Sequence, residues 1–232
     1  MDTTEIAAGV HHLRLGIANA YLITDAEGAV LVDTGPAGHA PAIQTALARI
    51  GLDRGALHTV VLTHFHDDHA GSCADLADWS GATVLAGAGD AAVIRGDVSG
   101  PPPNFTEPER ALHRVVAADL APAAASPVHR ELSDGTVLDV AGGAVVLAVP
   151  GHTPGSVALH LPERGVLITG DTIAEHRGQV ILGPFNLDRD LAWRSLQRLA
   201  ALDVGTVGFG HGDPVTQNAA HALRAAIDPF SG

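Results

Sequence analysis

The sequence predicts an α/β fold, because short apolar runs rich in β-branched residues alternate with longer segments that have helical periodicity. The chain has 232 residues, of which 46% are hydrophobic, and its mean hydropathy is +0.20. A chain of this length and composition can bury a sizeable core, and single α/β domains of this size are common. We therefore predict one domain that spans residues 1–232.

The strand candidates are short runs of apolar and β-branched residues that end at glycine, proline or acidic residues, which is the usual signature of strands and their turns. In chain order they are Ala20–Thr24, Ala29–Asp33, Thr59–Thr63, Thr83–Ala86, Val137–Val140, Ala144–Val149, Val157–Leu161, Val166–Thr169 and Thr206–Phe209.

The helix candidates lie between these strands. They are Ala40–Ile50, His69–Trp79, Glu107–Ala118, Asp190–Leu202 and Gln217–Ile227. In the fourth of them, Leu196, Leu199 and Ala200 fall on one face, and Asp188 or Asp190 is placed to cap its first turn. We expect that apolar face to pack against a sheet.

The regular pattern weakens at about residues 97–130. A Gly-Pro-Pro-Pro-Asn run at 100–104 interrupts regular structure, and residues 121–127 are rich in alanine and proline. An irregular insertion in a compact domain is more often a functional loop or lid than a linker, so we predict a loop or lid here. A surface excursion without a role is the alternative.

The charge composition disfavours anionic partners. The sequence has 26 acidic and 13 basic residues, no lysine among them, and a formal net charge of −13. Such a surface repels phosphate groups, so we expect neither a nucleic-acid partner nor a membrane partner. Cys73 is the single cysteine, which excludes an intrachain disulfide, and the N-terminal residues lack the pattern of an export signal. We expect a cytoplasmic protein.

Residues 63–69 read THFHDDH and follow the predicted strand Thr59–Thr63 directly. Ligand sites of α/β proteins gather at the carboxyl ends of strands, where loops can direct several side chains to one point. Imidazole and carboxylate groups together suit zinc, iron or manganese. A structural zinc site is usually rich in cysteine, so the motif favours a catalytic metal site.

Three further candidate ligands follow other apolar runs. His152 comes after AVVLAVPG, Asp171 after GVLITG and His211 after TVGFG, and each has a glycine beside it. A single histidine at a strand end is most often structural, but the repetition of one arrangement is far more specific. The sequence therefore predicts one metal centre assembled from several strand ends.

The motifs THFHDDH, PGHTPGS, LITGD and GHGDP, together with LVDTG near the start, resemble in order and spacing those of the metallo-β-lactamase superfamily. The resemblance extends from about Val10 to Pro214. It implies an α/β fold of the αβ/βα type, a four-layer sandwich of two mixed sheets flanked by helices. The metal site would lie at one edge of the two sheets.

The resemblance also implies the role of each motif residue. Two Zn²⁺ ions are expected, with Fe or Mn as the alternatives, and a hydroxide between them. The first ion would be held by His64, His66 and His152, the second by Asp68, His69 and His211, with Asp171 bridging both.

Three acidic residues receive further roles. Asp68 is the candidate catalytic residue, since it could also accept a proton from the nucleophile. Asp67 occupies the variable position of the motif and is expected to point away from the ions. Asp33 of LVDTG is expected to orient a metal ligand.

Differences from individual branches of the family narrow the activity. The bridging Asp171 argues against a true β-lactamase. Glyoxalase II-like enzymes add a helical C-terminal region with basic residues, whereas Arg224 is the sole arginine or lysine after His211. Homoserine lactonases use a tyrosine between the last two ligands, and the single tyrosine here is Tyr21. We expect a zinc-dependent hydrolase that cleaves an ester, thioester or lactone bond of a small molecule.

The sequence says less about the substrate pocket and the oligomeric state than about the metal ligands. The expected pocket wall consists of Phe105, Ile173, His176, Arg177, Phe185 and Asn186. Arg177 could bind a substrate carboxylate, although a plain solvated arginine is the more common case. A homodimer is left open as the assembly.

Two other functions also stay open. One is a mononuclear iron enzyme resembling persulfide dioxygenases, in which His64, His152 and Asp171 would bind one Fe. The other is a metal-binding protein without catalytic activity.

Overall fold

The computed structural model describes residues 3–230, so the predicted domain limits at residues 1 and 232 lie outside it. Its larger sheet contains seven strands in sequential order. The first four pair antiparallel, and the fourth to the seventh pair in parallel. The strands are β1 (Thr3–Ala7), β2 (Val10–Leu15), β3 (Ala18–Thr24), β4 (Ala29–Val32), β5 (Leu57–Leu62), β6 (Thr83–Gly87) and β7 (Arg130–Leu132).

The second sheet has five strands in the order β14-β11-β10-β9-β8. All neighbours are antiparallel except β11 and β14. A separate hairpin is formed by β12 and β13. The strands are β8 (Val137–Leu138), β9 (Ala144–Ala148), β10 (Val157–Leu161), β11 (Val166–Ile168), β12 (Ile173–His176), β13 (Gln179–Leu182) and β14 (Thr206–Gly208).

Two of the helices have side-chain caps at their N-termini. The side chain of Asp188 accepts a hydrogen bond from the Leu191 backbone, and Thr106 forms a reciprocal capping box with Glu109. The helices are α1 (Ala40–Arg49), α2 (Asp67–Ala70), α3 (Cys73–Ser80), α4 (Ala91–Ile94), α5 (Glu107–Val116), α6 (Arg189–Ala200) and α7 (Ala219–Arg224). Within residues 3–230, every helix is too short or too polar to cross a bilayer.

Three clusters of buried hydrophobic residues lie between the layers of the fold. Alternate residues of β5 point to opposite faces, so Val61 packs between the two sheets, whereas Val60 and Leu62 pack against α1 and α3. A third cluster joins the outer face of the second sheet to α6 and α7, as with Leu167 and Leu196. The layers are therefore helix, sheet, sheet and helix, which confirms the predicted four-layer αβ/βα sandwich.

Several strands were not predicted. They are β1, β2, β7, β12 and β13. β2 has the sequence VHHLRL, in which histidine and arginine mask the alternation, although Val10, Leu13 and Leu15 are completely buried. β1 is mostly polar and lies at the edge of the larger sheet. Pairing with neighbouring strands therefore fixes the position of segments whose local sequence pattern is weak.

The predicted helix His69–Trp79 is wrong in its bounds. Residues 67–70 already form the helical turn α2, and α3 starts separately at Cys73. Acidic side chains in the first turn of a helix are stabilising, which favours a start at Asp67. The break at Gly71 brings two backbones together, because a Cβ at Gly71 would lie 2.3 Å from the Ala37 nitrogen.

Candidate metal centre

The seven predicted ligands lie at one edge of the sandwich, where the two sheets meet. The larger sheet contributes His64, His66, Asp68 and His69 from the segment that follows β5. The second sheet contributes His152 after β9, Asp171 after β11 and His211 after β14. The structure thus brings all seven residues together, in overlapping groups whose ligand atoms lie within 4.8 Å of one another.

His64, His66 and His152 form the first group. Their three ring centroids are each 4.7 Å from the other two, and Nε2 of His152 lies 3.0 Å from Nδ1 of His66. The buried Nε2 of His64 has no hydrogen-bond partner among the described residues. Burial lowers the pKa of His66 to about 3 and holds the pKa of His64 well below its usual value. Neutral imidazoles with free lone pairs are the form that binds a metal.

Asp68, His69 and His211 form the second group. The Nε2 atom of His211 lies 3.2 Å from Asp68 Oδ2 and 3.4 Å from His69 Nε2, and His69 Nε2 lies 3.7 Å from Asp68 Oδ2. Burial alone would lower the pKa of His211, but the carboxylates of Asp171 and Asp68 raise it to about 10. The carboxylates of Asp171 and Asp68 therefore favour positive charge at this point, which a bound dication would also supply.

Asp171 lies between the two groups. Its Oδ2 is 3.0 Å from His211 Nε2, 3.7 Å from His152 Nε2 and 4.0 Å from His64 Nε2. Its Oδ1 is 3.2 Å from His69 Nε2. A carboxylate in this position faces both groups and could be shared between them, and the His/Asp donor set fits metal binding.

Gly210 gives Asp171 the space for this position. A Cβ at Gly210 would lie 1.9 Å from Asp171 Oδ1 and 2.8 Å from His69 Cε1. Only glycine allows the backbone between β14 and His211 to pass so close to the carboxylate. The middle glycine of GFGHG is thus required for steric reasons.

Asp33 holds the second group from outside. Its Oδ2 accepts a hydrogen bond from Thr63 Oγ1 at 2.7 Å and lies 2.9 Å from Nδ1 of His69, while its Oδ1 accepts one from the Thr63 backbone at 2.7 Å. Because Nδ1 of His69 is engaged in this way, Nε2 is left to face the centre. Nδ1 of His211 is similarly engaged by the Ile17 carbonyl at 2.7 Å. The contact with His69 agrees with the expectation that Asp33 orients a candidate ligand.

Asp90 is a supporting residue that sequence reasoning missed. Its buried carboxylate accepts hydrogen bonds from the Phe65 backbone at 3.1 Å, from Thr153 Oγ1 at 2.6 Å and from the Gly155 backbone at 2.7 Å. It thereby joins the loop of His64 and His66 to the loop of His152. Its signal in the sequence was its place in AGAGD, just after the strand next to β5.

Asp67 belongs to neither of the two candidate groups. Its Oδ1 accepts a hydrogen bond from the Ala123 backbone at 2.8 Å, which ties the segment 97–130 to the edge of the centre. The predicted insertion is thus attached beside the site, and it contains the ordered helix α5.

A cavity of about 1290 Å³ opens over the centre, and His66, Asp68, Asp171 and His211 form its floor. Of the predicted wall residues, Phe105, His176 and Phe185 line it. The other three do not: Ile173 and Asn186 are buried beside it, and Arg177 lies exposed in the β12–β13 turn. Arg177 therefore lies outside the cavity lining, which favours the alternative of a solvated arginine over a contact with a substrate carboxylate.

Comparison with known proteins identifies the family to which this chain belongs. A family model described as the metallo-beta-lactamase superfamily matches residues 13–211. The chain belongs to this superfamily. The match runs from β2 to His211, the last candidate ligand, and it confirms the resemblance drawn from the motifs.

Individual members of the superfamily agree with this assignment. The chain is 30% identical to a probable metallo-hydrolase, YflN, of Bacillus subtilis over 238 residues, covering 91% of this chain and 87% of the relative. It is 31% identical to a hydroxyacylglutathione hydrolase of Cereibacter sphaeroides over 191 residues. That match covers 81% of this chain but only 59% of the hydrolase. Among solved structures, a metallo-beta-lactamase family protein of Thermus thermophilus has a TM-score of 0.71 at 27% identity, over 95% of this chain and 78% of that one.

Proposed function

We propose that this protein is a hydrolase that uses two zinc ions to cleave an ester, thioester or lactone bond of a small molecule. The observation that supports this most is the position of Asp171, within 4.0 Å of ligand nitrogens from both groups. Relatives named as a metallo-hydrolase and as hydroxyacylglutathione hydrolases support the reaction class.

Each proposed ligand has a defined donor atom. His64 Nε2, His66 Nδ1 and His152 Nε2 would hold one ion, and Asp68 Oδ2, His69 Nε2 and His211 Nε2 the other, with Asp171 shared. When bound, two zinc ions lower the pKa of coordinated water to about 7 and polarise the carbonyl group of a substrate.

Asp68 is the proposed proton acceptor of the reaction. It lies in the floor of the cavity and keeps 13% of its side chain exposed, whereas Asp171 keeps 5%. Burial would raise the pKa of Asp68, but the neighbouring His69 and His211 imidazoles hold it well below its usual range. The group is thus ionised at neutral pH, and its position in the floor of the cavity, where part of the side chain stays exposed, supports the proposed role.

Asp33 and Asp90 act only through other residues. Asp33 fixes the ring of His69, and Asp90 fixes the backbone that carries His64, His66 and His152. Buried side chains that already hold their partners need little rearrangement on binding, which favours both metal affinity and rate.

The test combines metal analysis with a substrate panel. Protein purified without added metal is expected to contain two zinc ions per chain, and the zinc-loaded form is expected to hydrolyse aryl esters or lactones. Asp171→Ala should lose metal and several powers of ten in rate, whereas Asp75→Ala, on the exposed face of α3, should behave as wild type. A single iron with thiol-dependent oxygen uptake would replace this proposal by the dioxygenase, and full metal content without turnover on any bond type would indicate a binding protein.

A further inference from the structure

The wall of the cavity above the metal centre is largely apolar. Helix α5 contributes Leu112 and Val116, the chain before α5 contributes Phe105, and the opposite side contributes Ile181 and Phe230. A volume of about 1290 Å³ is larger than an acetyl or lactoyl group needs. The shape and composition fit a substrate that extends well beyond the bond to be cleaved.

Among the described residues, the lining of the cavity contains acidic side chains but no arginine or lysine, and the sequence as a whole has no lysine. The carboxyl side chains that line it are Asp67, Asp68, Asp171 and Glu175. An anionic group remote from the reacting bond would therefore meet no arginine or lysine in this lining, and several carboxylates would repel it.

Helix α5 is held in place over the cavity. Glu109 is completely buried; it accepts a hydrogen bond from the Phe185 backbone at 2.8 Å and forms an ion pair with Arg189. The rings of Phe105, His113 and Phe185 lie with their centroids 4.6 to 5.3 Å apart. The first turns of α5 are thus anchored, and its apolar residues near the cavity have a fixed position.

The apolar residues of α5 are nevertheless open to solvent. Leu112 is 38% and Val116 is 39% exposed, although both line the cavity. Val115 is 76% exposed, but it lies outside the cavity lining. Burying Leu112 and Val116 against an apolar ligand would release free energy that the protein alone does not gain.

We propose that the substrate is an uncharged ester, thioester or lactone whose apolar acyl chain lies in this cavity, between α5 and the β12–β13 hairpin. Acylglutathione, which carries carboxylates, is a poor substrate. The inference rests on the proposed function for the cleaved bond and adds the chemical class of the substrate. Water is the only co-reactant: the acyl carbon–heteroatom bond breaks, the hydroxyl group joins the acyl carbon, and the alcohol or thiol takes the proton.

The first test measures the dependence of kcat/KM on chain length for zinc-loaded protein with 4-nitrophenyl butanoate and decanoate. Each methylene buried in the cavity is expected to raise kcat/KM by about two- to fourfold. The decanoate should therefore exceed the butanoate by at least about 50-fold, and S-lactoylglutathione should fall below both. Equal values for the two esters, or preference for the glutathione thioester, would overturn the inference.

A matched pair of variants on α5 localises the effect. Val116→Glu places a carboxylate in the cavity wall and should lower the decanoate-to-butanoate ratio about tenfold or more. Val115→Glu makes the same chemical change one residue away, outside the cavity lining, and should keep the wild-type ratio. Both side chains are exposed, so neither change threatens folding. Equal loss in the two variants would argue against the cavity as the chain site.

A binding measurement separates this inference from the proposed function. Nile red, an uncharged apolar dye, should bind the metal-free protein and be displaced by methyl decanoate but not by glutathione, and Val116→Glu should weaken its binding. This result without ester hydrolysis would retain the apolar site and remove the hydrolase. Hydrolysis of butanoate without displaceable dye binding would retain the hydrolase and remove the apolar site.

Discussion

The substitution Gly210→Ala tests the construction of the metal centre without removing any ligand. The new Cβ would lie 1.9 Å from Asp171 Oδ1, and real Cβ atoms essentially never approach a neighbour closer than 3.0 Å. The oxygen must therefore withdraw by about 1.1 Å, or the backbone of Gly210 must move by a similar distance. Gly210 is not among the glycines with positive φ, so alanine itself brings no backbone strain there.

The expected effect follows from that displacement. A shift of about 1 Å in a catalytic group can cost about 100-fold in rate, and loss of a supporting contact costs about 10- to 100-fold in metal affinity. We expect Gly210→Ala to lose zinc affinity by at least about tenfold and kcat by about 100-fold. Competition with a chromophoric zinc chelator measures the affinity, and initial rates on an aryl ester measure kcat.

The matched control is Gly205→Ala. A Cβ at Gly205 would have its nearest neighbour at 3.8 Å, an ordinary contact, and Gly205 also lacks a positive φ. This variant should bind zinc and turn over as wild type does. If Gly210→Ala kept wild-type zinc affinity and rate, Asp171 would not be held at the position that the proposed bridging role requires.

Three further predictions concern supporting residues. Burial raises the pKa of Asp90 to about 6, so between about pH 6 and 4 the native state binds a proton that the unfolded chain lacks. The contribution of Asp90 to the free energy of unfolding thus increases as pH falls. In metal-free protein, we expect the unfolding free energy of wild type, relative to that of Asp90→Asn, to rise by about 1 kcal/mol between pH 7 and pH 5. Urea titration at the two pH values measures this difference. Glu109→Ala should expose residues 97–130 to limited proteolysis and destabilise the protein by about 2 kcal/mol or more, unlike Glu107→Ala, whose side chain is 83% exposed. Burial raises the pKa of the Cys73 thiol to about 11, so iodoacetamide should modify it only after unfolding; rapid reaction of the folded protein would contradict its burial.

The sequence identified the residues that converge at the centre because each of them lies in a local pattern. His64, His152, Asp171 and His211 follow apolar runs, and the ends of such runs can be located without knowledge of the fold. The fold class followed from the same runs, while the layer order required the family resemblance. The choice of zinc, the homodimer, the cytoplasmic location and the lack of nucleic-acid partners remain predictions.

Other features depend on contacts between distant segments and leave no local pattern. Asp90 looks like any acidic residue at a strand end until the loops of Phe65 and Thr153 are seen to converge on it. Arg177 was expected in the pocket because it follows Asp171 closely in sequence, but the β12–β13 turn carries it away. The direction of the apolar side of α5 also required the structure, since its anchor Glu109 contacts residues of the second half of the chain.

Each of the two proposed metal sites is completed by both sheets. The larger sheet supplies His64 and His66 to the first and Asp68 and His69 to the second, and the second sheet supplies His152, Asp171 and His211. Neither sheet alone holds a full set, so the free energy of metal binding is also free energy of packing one sheet against the other. The apolar layer between the sheets therefore sets the distance between the two halves of each site. Substitutions in that layer should weaken metal binding even when every ligand is intact, because they change how the loops of the two sheets face each other.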